Sequence, residues 1–361
     1  MIVLPVSRVV EICRSLFQRL GLAFMFLGVF LERPAMFASS ILLLVIATPL
    51  GQLGRRLISF KVELLIIIGL ISVQAAANSQ LNALILVLYL MGLINGLLLP
   101  NPRTIPPRSW ILLTLLMTTL ALFFTSDFPA RIGLTANESI FGTNTDDYEI
   151  DYRSLAYAWF ILFVYLAPHF HGELRSIFHV LLLIGSAMLG TNKFGIFYAA
   201  LYKLSLRLVI PAVLILLCGL AAMGFSLMGW TAAREGLWSD FFANFPTCNS
   251  TYGVCTELIG LNNEEGVRSF HSIVLDFGWY GGILGLIGGM YFLVRVASVR
   301  SNFGASAGVL FSVALLFGFP PFFNERHILI VYALLLLFQT DRTRRLTHRP
   351  LRAHRPILVS R

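Results

Sequence analysis

RSFHSIVLDFGWYGGILGLIGGMYFLV, residues 268–294, opens with Arg268 and His271, reaches Asp276, and is then apolar to its end. Three ionisable groups within nine residues of an apolar stretch are costly in lipid unless they face protein or a wet cavity. The stretch is long enough to cross a bilayer, which needs about 20 apolar residues as helix. It is read as one membrane helix whose charged end lies at the membrane edge. Asp276 is then expected about 7.5 Å deeper than His271, at 1.5 Å rise per residue. Gly281, Gly285 and Gly289 recur every fourth residue, with Gly278 and Gly282 on a neighbouring stripe. Small residues at that spacing let another helix approach closely, so this helix belongs inside a bundle.

The rest of the chain repeats the theme. Its 361 residues are 57% hydrophobic and 12% charged, with a mean hydropathy of +0.80. A soluble domain would carry about a quarter charged residues. Apolar runs predict spans near 15–31, 35–53, 62–78, 81–100, 109–126, 154–168, 175–190, 192–206, 208–229, 270–294, 303–320 and 327–340. The expected fold is therefore all-α: a polytopic membrane protein of about 12 helices with a large periplasmic loop. Residues 1–20 read as an amphipathic N-terminal segment, 21–340 as the membrane domain and 341–361 as a basic cytoplasmic tail.

The net charge of +9 is distributed as a topology signal. Seven arginines fall between Arg342 and Arg361, and others occupy short connectors, such as Arg55, Arg56 and Lys61, Arg103 and Arg108, and Arg295 and Arg300. Alternating the spans from a cytoplasmic N-terminus puts every such connector inside, as the positive-inside rule requires. That distribution argues against nucleic acid as a partner and for the bilayer itself. The periplasmic connectors differ in kind: 127–153 is acidic and rich in turn formers, and 230–269 carries Trp238, Phe241, Phe242, Phe245 and Tyr252. Cys248 and Cys255 lie in that loop within CNSTYGVC, where an oxidising compartment lets them pair. Two free thiols are the alternative.

Cationic residues gather at the periplasmic ends of the spans. Lys193 lies in GTNKFG, Arg234 opens the large loop, Arg153 precedes the sixth span, and Arg326 lies in NERH before the last. Together with Arg268 they suit a lipid-borne diphosphate, because Arg presents a planar fork to phosphate oxygens. Ion pairing with Asp276 or Glu325 is the alternative for any one of them. Asp276 reads equally as a satisfied buried carboxylate that fixes packing. The sequence holds no Walker A, HExxH or paired CxxC motif and no acidic pair for a divalent metal, so no cofactor and no metal is expected. An outer-face reaction then needs a substrate already activated, and a sugar on a lipid diphosphate is one.

GTNKFGIF and FHSIVLDFGWYGG, on either side of the large loop, resemble paired motifs of the Wzy-type O-antigen polymerases and the related O-antigen ligases. Lys193 stands at an arginine position, Ser272 at an asparagine and Asp276 at a glutamate. The likeness covers the layout of residues 150–340. It implies a metal-independent glycosyltransferase of the bacterial inner membrane. Its substrate would be an undecaprenyl-diphosphate-linked oligosaccharide, and O-antigen, capsule or exopolysaccharide its product. A chain-length regulator and a flippase of the same pathway are the further partners. On this reading His271 and Arg268 are catalytic, and Lys193, Arg234, Arg153, Asp276 and Arg326 bind substrate. A ligase, or a transporter or flippase for a lipid-linked or anionic substrate, is the alternative.

Topology is directly testable. Reporters fused after Arg108 and within 340–361 are expected to score cytoplasmic, and those within 130–150 and 235–265 periplasmic. A cytoplasmic 235–265 loop would overturn the outer-face chemistry with the topology.

Overall fold

The computed structural model describes residues 6–31, 34–100 and 272–299, and isolated positions elsewhere: 161, 238–239, 241–243, 245, 270, 308, 311–312, 315–316 and 329–337. Among the described residues every regular element is a helix and no strand occurs. Six helices have defined bounds. They are α1 (Val6–Leu31), α2 (Pro34–Ala47), α3 (Leu50–Ser59), α4 (Lys61–Ala76), α5 (Gln80–Leu98) and α6 (Ile273–Ala297). A further helical stretch covers 329–337. By length and composition Arg8–Val29, Gln80–Leu98 and Ile273–Ala297 qualify as membrane spans, and the bent pair α3–α4 brings the number to four.

The N-terminal helices pair through small residues. Cβ atoms built at Gly21 and Gly28 would meet Leu44 and Phe37, so α1 and α2 run antiparallel in close contact. The expected amphipathic segment and first span are one continuous 26-residue helix. The second expected span, 35–53, is shorter than its apolar run. Helix α2 stops at Ala47, because Pro49 lacks an N–H and disfavours helical geometry in Thr48. Its 14 residues reach only about 21 Å. After the break α3 turns away and lies at 72° to α4.

Helices α4 and α5 match the expected spans closely. They are joined by Ala77–Asn78–Ser79, where Asn78 adopts φ 59, a left-handed value that asparagine tolerates better than most residues. The Ser79 N–H closes the end of α4 on Gln74 O at 2.9 Å. At the other end Arg56 of α3 donates through Nη1 to Leu97 O and Leu99 O, both at 2.7 Å, and so satisfies carbonyls left open at the end of α5.

The largest departure from expectation is α6. Its helical residues span 25 positions, but Gly282 sits at φ 60, ψ −143, a conformation essentially restricted to glycine. The chain reverses there. A Cβ at Gly289 would lie 2.6 Å from Val274 Cα, and one at Gly285 would collide with Phe277 O. In a straight helix residues 274 and 289 would be about 22 Å apart. Helix α6 is therefore a hairpin, with a short arm, 273–281, folded antiparallel against a long arm, 283–297. The glycine repeat reflects this directly. Gly285 and Gly289 admit the protein's own short arm, whereas Gly281 and Gly288 admit Leu70 and Ile66 of α4.

The long arm runs antiparallel to α4: Gly288 meets Ile66 and Arg295 pairs with Glu63, while Gly281 beside the turn meets Leu70. The Gly282 turn accordingly lies toward the Gln74 end of α4, away from the basic Lys61 end. Asp276 on the short arm is nearer that turn than Phe270 and Ser272 are. The expected order, with Asp276 deeper than the residues before it, is thus reversed.

The hairpin makes a sharp prediction. Phe277 and Phe292 have ring centroids 5.4 Å apart. With the native cysteines replaced, Phe277→Cys and Phe292→Cys are expected to join through a short bifunctional thiol reagent within one chain. A straight helix would hold them about 22 Å apart, and absence of the cross-link would refute the reversal.

Candidate functional site

The short arm of the hairpin begins inside a buried polar cluster. Ser272 is its N-cap residue in extended geometry, and Asp276, 2% exposed, lies one turn on. The Asp276 N–H donates to Ser272 O at 2.8 Å, starting the helix. Its side chain reaches backward, and Oδ1 accepts the Phe270 N–H at 2.7 Å. From α5 the Tyr89 hydroxyl donates to Oδ2 at 2.9 Å. A buried carboxylate needs such donors, since an unsatisfied one costs several kcal/mol, as an order of magnitude.

The other face of Phe270 is held by the loop. Trp238 Nε1 donates to Phe270 O at 3.1 Å. Phe241 stacks on Phe245, with centroids 4.9 Å apart, and packs edge-on against Phe270 at 5.1 Å. Trp279 closes the group against Phe270 at 5.2 Å. Trp238, Phe241 and Phe245 thus form an aromatic group against Phe270 and the short arm. Phe270 and Ser272 are both buried, and Ser272 Oγ has no hydrogen-bond partner among the described residues.

At the turn a second set of polar residues takes over. Gln74 Nε2 donates to Tyr280 O at 2.9 Å, and Asn82 Nδ2 donates to Gln74 Oε1 at 3.2 Å. Both side chains are fully buried. At the opposite, basic end Glu63 Oε1 takes Arg295 Nε at 3.3 Å and the Tyr332 hydroxyl at 3.1 Å. Arg295 also donates to Ser59 O at 3.4 Å. The residues expected only to set topology there include one, Arg295, that ties the hairpin to α4.

Of the residues singled out from sequence, Asp276 lies in this cluster. Arg268, His271, Lys193, Arg234, Arg153 and Arg326 lie outside the described residues, as do Cys248 and Cys255. His271 is bonded in the chain to Ser272 and Phe270, the residues the cluster fixes. Tyr89, Gln74, Asn82 and Glu63 are the members that sequence reading missed, whereas Trp238 was legible as one of the aromatics of the 230–269 segment. Each polar one interrupts an otherwise apolar run, and that was the available signal. Among the described residues no group of three or more His, Cys, Asp or Glu is placed to hold a metal. No protein-family model, curated protein or solved structure matches the chain.

The cluster predicts a graded response. Tyr89→Phe is expected to lower unfolding stability in detergent by about 1–3 kcal/mol, the usual cost of leaving a buried acceptor short of a donor. Asp276→Leu should cost more than Asp276→Asn, because Asn can still accept the Phe270 N–H. Tyr89→Phe combined with Asp276→Asn should be less than additive, since the two share one bond. Strict additivity would show that the bond contributes nothing.

Proposed function

We propose that the chain is a multi-pass glycosyltransferase of the bacterial inner membrane, with about 12 spans and a large periplasmic loop, that polymerises undecaprenyl-diphosphate-linked repeat units at the periplasmic face. Arg268, Lys193 and Arg234 hold the diphosphate. Because Phe270 and Ser272 lie farther from the Gly282 turn than Asp276 does, the substrate headgroup enters the bundle from the periplasmic face to reach His271, past the positive potential of Arg153 and Arg326. His271 takes the proton of the acceptor sugar hydroxyl as its oxygen attacks the anomeric carbon. The bond from that carbon to the diphosphate breaks, and polyprenyl diphosphate leaves with its charge stabilised by the cations. Asp276 acts as a positioning residue.

The observation that carries this reading is the clamp on Phe270. Its N–H is held by Asp276 and its carbonyl by Trp238, so the backbone beside His271 is fixed from both sides. A general base must sit within about 3 Å of the proton it removes, and such fixing supports that geometry. One observation favours a second reading, a transporter or flippase. Discontinuous helices such as α6 recur where transporters bind ions or anionic substrates.

Removal of the gene, followed by analysis of lipid-linked glycans, separates these readings. Single repeat units accumulating on the periplasmic leaflet are expected. Repeats retained on the cytoplasmic leaflet would mean a flippase, and finished polymer left on its lipid would mean a ligase. Within the polymerase reading, His271→Ala and Arg268→Ala should abolish polymer at normal protein level. Arg268→Lys should restore part of it, because lysine lacks the fork. Normal polymer from well-expressed His271→Ala would remove the catalytic histidine.

A further inference from the structure

Helix α3 is the element that the bundle leaves least covered. None of its ten residues is buried, and it lies across the end of α4 at 72°. Its sequence, LGQLGRRLIS, separates cleanly around the helix at 100° per residue. Leu50, Leu53, Leu57 and Ile58 fall on one side, and Gln52, Arg55, Arg56 and Ser59 on the other. Arg56 fixes the rotation, because its guanidinium is spent on Leu97 O and Leu99 O at the end of α5. Leu53 packs against the core, while the rest of the apolar side is turned outward, with Leu50 and Ile58 84% and 67% exposed.

A bare apolar face of this kind would be a liability in water, but α3 adjoins membrane spans. A short helix with one apolar and one basic side, set across the direction of its neighbouring span, is suited to lie in the plane of the interface. Arg55 is exposed on the polar side, with Nε bonded to Gly51 O at 3.0 Å. Lys61 is exposed just past the bend at Phe60. Both are exposed cations on either side of the bend between α3 and α4, and no carboxylate of α3 opposes them.

We propose that α3 is an in-plane interfacial helix, and that Arg55 and Lys61 form a binding site for the headgroup phosphate of anionic phospholipid while Leu50, Leu57 and Ile58 enter the acyl layer. The site is independent of the chemistry at the other face. It fixes the bend between α3 and α4, and through Arg56 it bears on the end of α5.

The test uses the full chain in detergent and measures retained lipid by native mass spectrometry, with phosphatidylglycerol and phosphatidylcholine as probes. The wild-type protein should retain phosphatidylglycerol preferentially, and the preference should fade with salt. Arg55→Ala with Lys61→Ala should weaken phosphatidylglycerol retention about thirtyfold at low salt, from about 1 kcal/mol per basic side chain. Arg8→Ala with Arg14→Ala, an equal loss of exposed charge on α1, should leave it unchanged. Equal retention of both lipids by the wild type, or equal losses in the two double variants, would overturn the site. A photoreactive residue at position 58 in native membranes should label lipid. Labelling of another protein there instead would assign the face to a protein partner and also overturn it.

Discussion

Backbone hydrogen bonding among packed apolar helices governs the described part of this molecule. A helix crossing lipid satisfies its own peptide groups, but a chain that stops or reverses there exposes donors and acceptors that something else must meet. Helix α6 reverses at Gly282, and the neighbouring carbonyl of Tyr280 is met by the Gln74 amide, which Asn82 holds in turn. The short arm begins at Ser272, and the peptide groups of Phe270 before it are met by Asp276 and Trp238. Arg56 serves the open end of α5 in the same way. Gln74, Asp276 and Arg56 thus follow the breaks in the backbone.

This pattern gives Asp276 a task that needs no substrate. Among the described residues its oxygens accept from one peptide group and one tyrosine, and those bonds already support a carboxylate in an apolar bundle. The same bonds determine where the chain on either side of His271 is placed. Packing and chemistry are not rivals at such a position, because a reactive group is only as well placed as the backbone that carries it. The Glu63 cluster, at the other end of α4, serves to join α4, the long arm and the 329–337 stretch.

The sequence was most legible where apolar runs were uninterrupted. Helices α4 and α5 begin and end within two residues of their expected bounds, since the Asn78–Ser79 turn and the flanking polar residues mark them. It was less legible at 35–53, where hydropathy outweighed Pro49. It failed at 270–294, because hydropathy carries no sign for direction. Gly281–Gly282 was visible as a small-residue pair, but a pair that admits a neighbouring helix and a pair that turns the chain have the same composition. Gln74, Asn82 and Tyr89 were legible as polar interruptions and passed over because none is charged. The cations proposed for the outer face rest on sequence position, which their spacing alone does not turn into a site.

The unequal arms of α6 alter how depth is reckoned along the chain. Twenty-five helical residues laid straight would advance about 37 Å, more than the roughly 30 Å of a hydrocarbon core. Folded at Gly282, with the short arm subtracted from the long, the same residues advance only about 9 Å along the bundle axis. Position in the sequence and position across the membrane therefore part company here, and residues fifteen places apart share a level. A ruler laid along the hydropathy profile would assign Val274 and Gly289 to opposite leaflets, whereas they are neighbours.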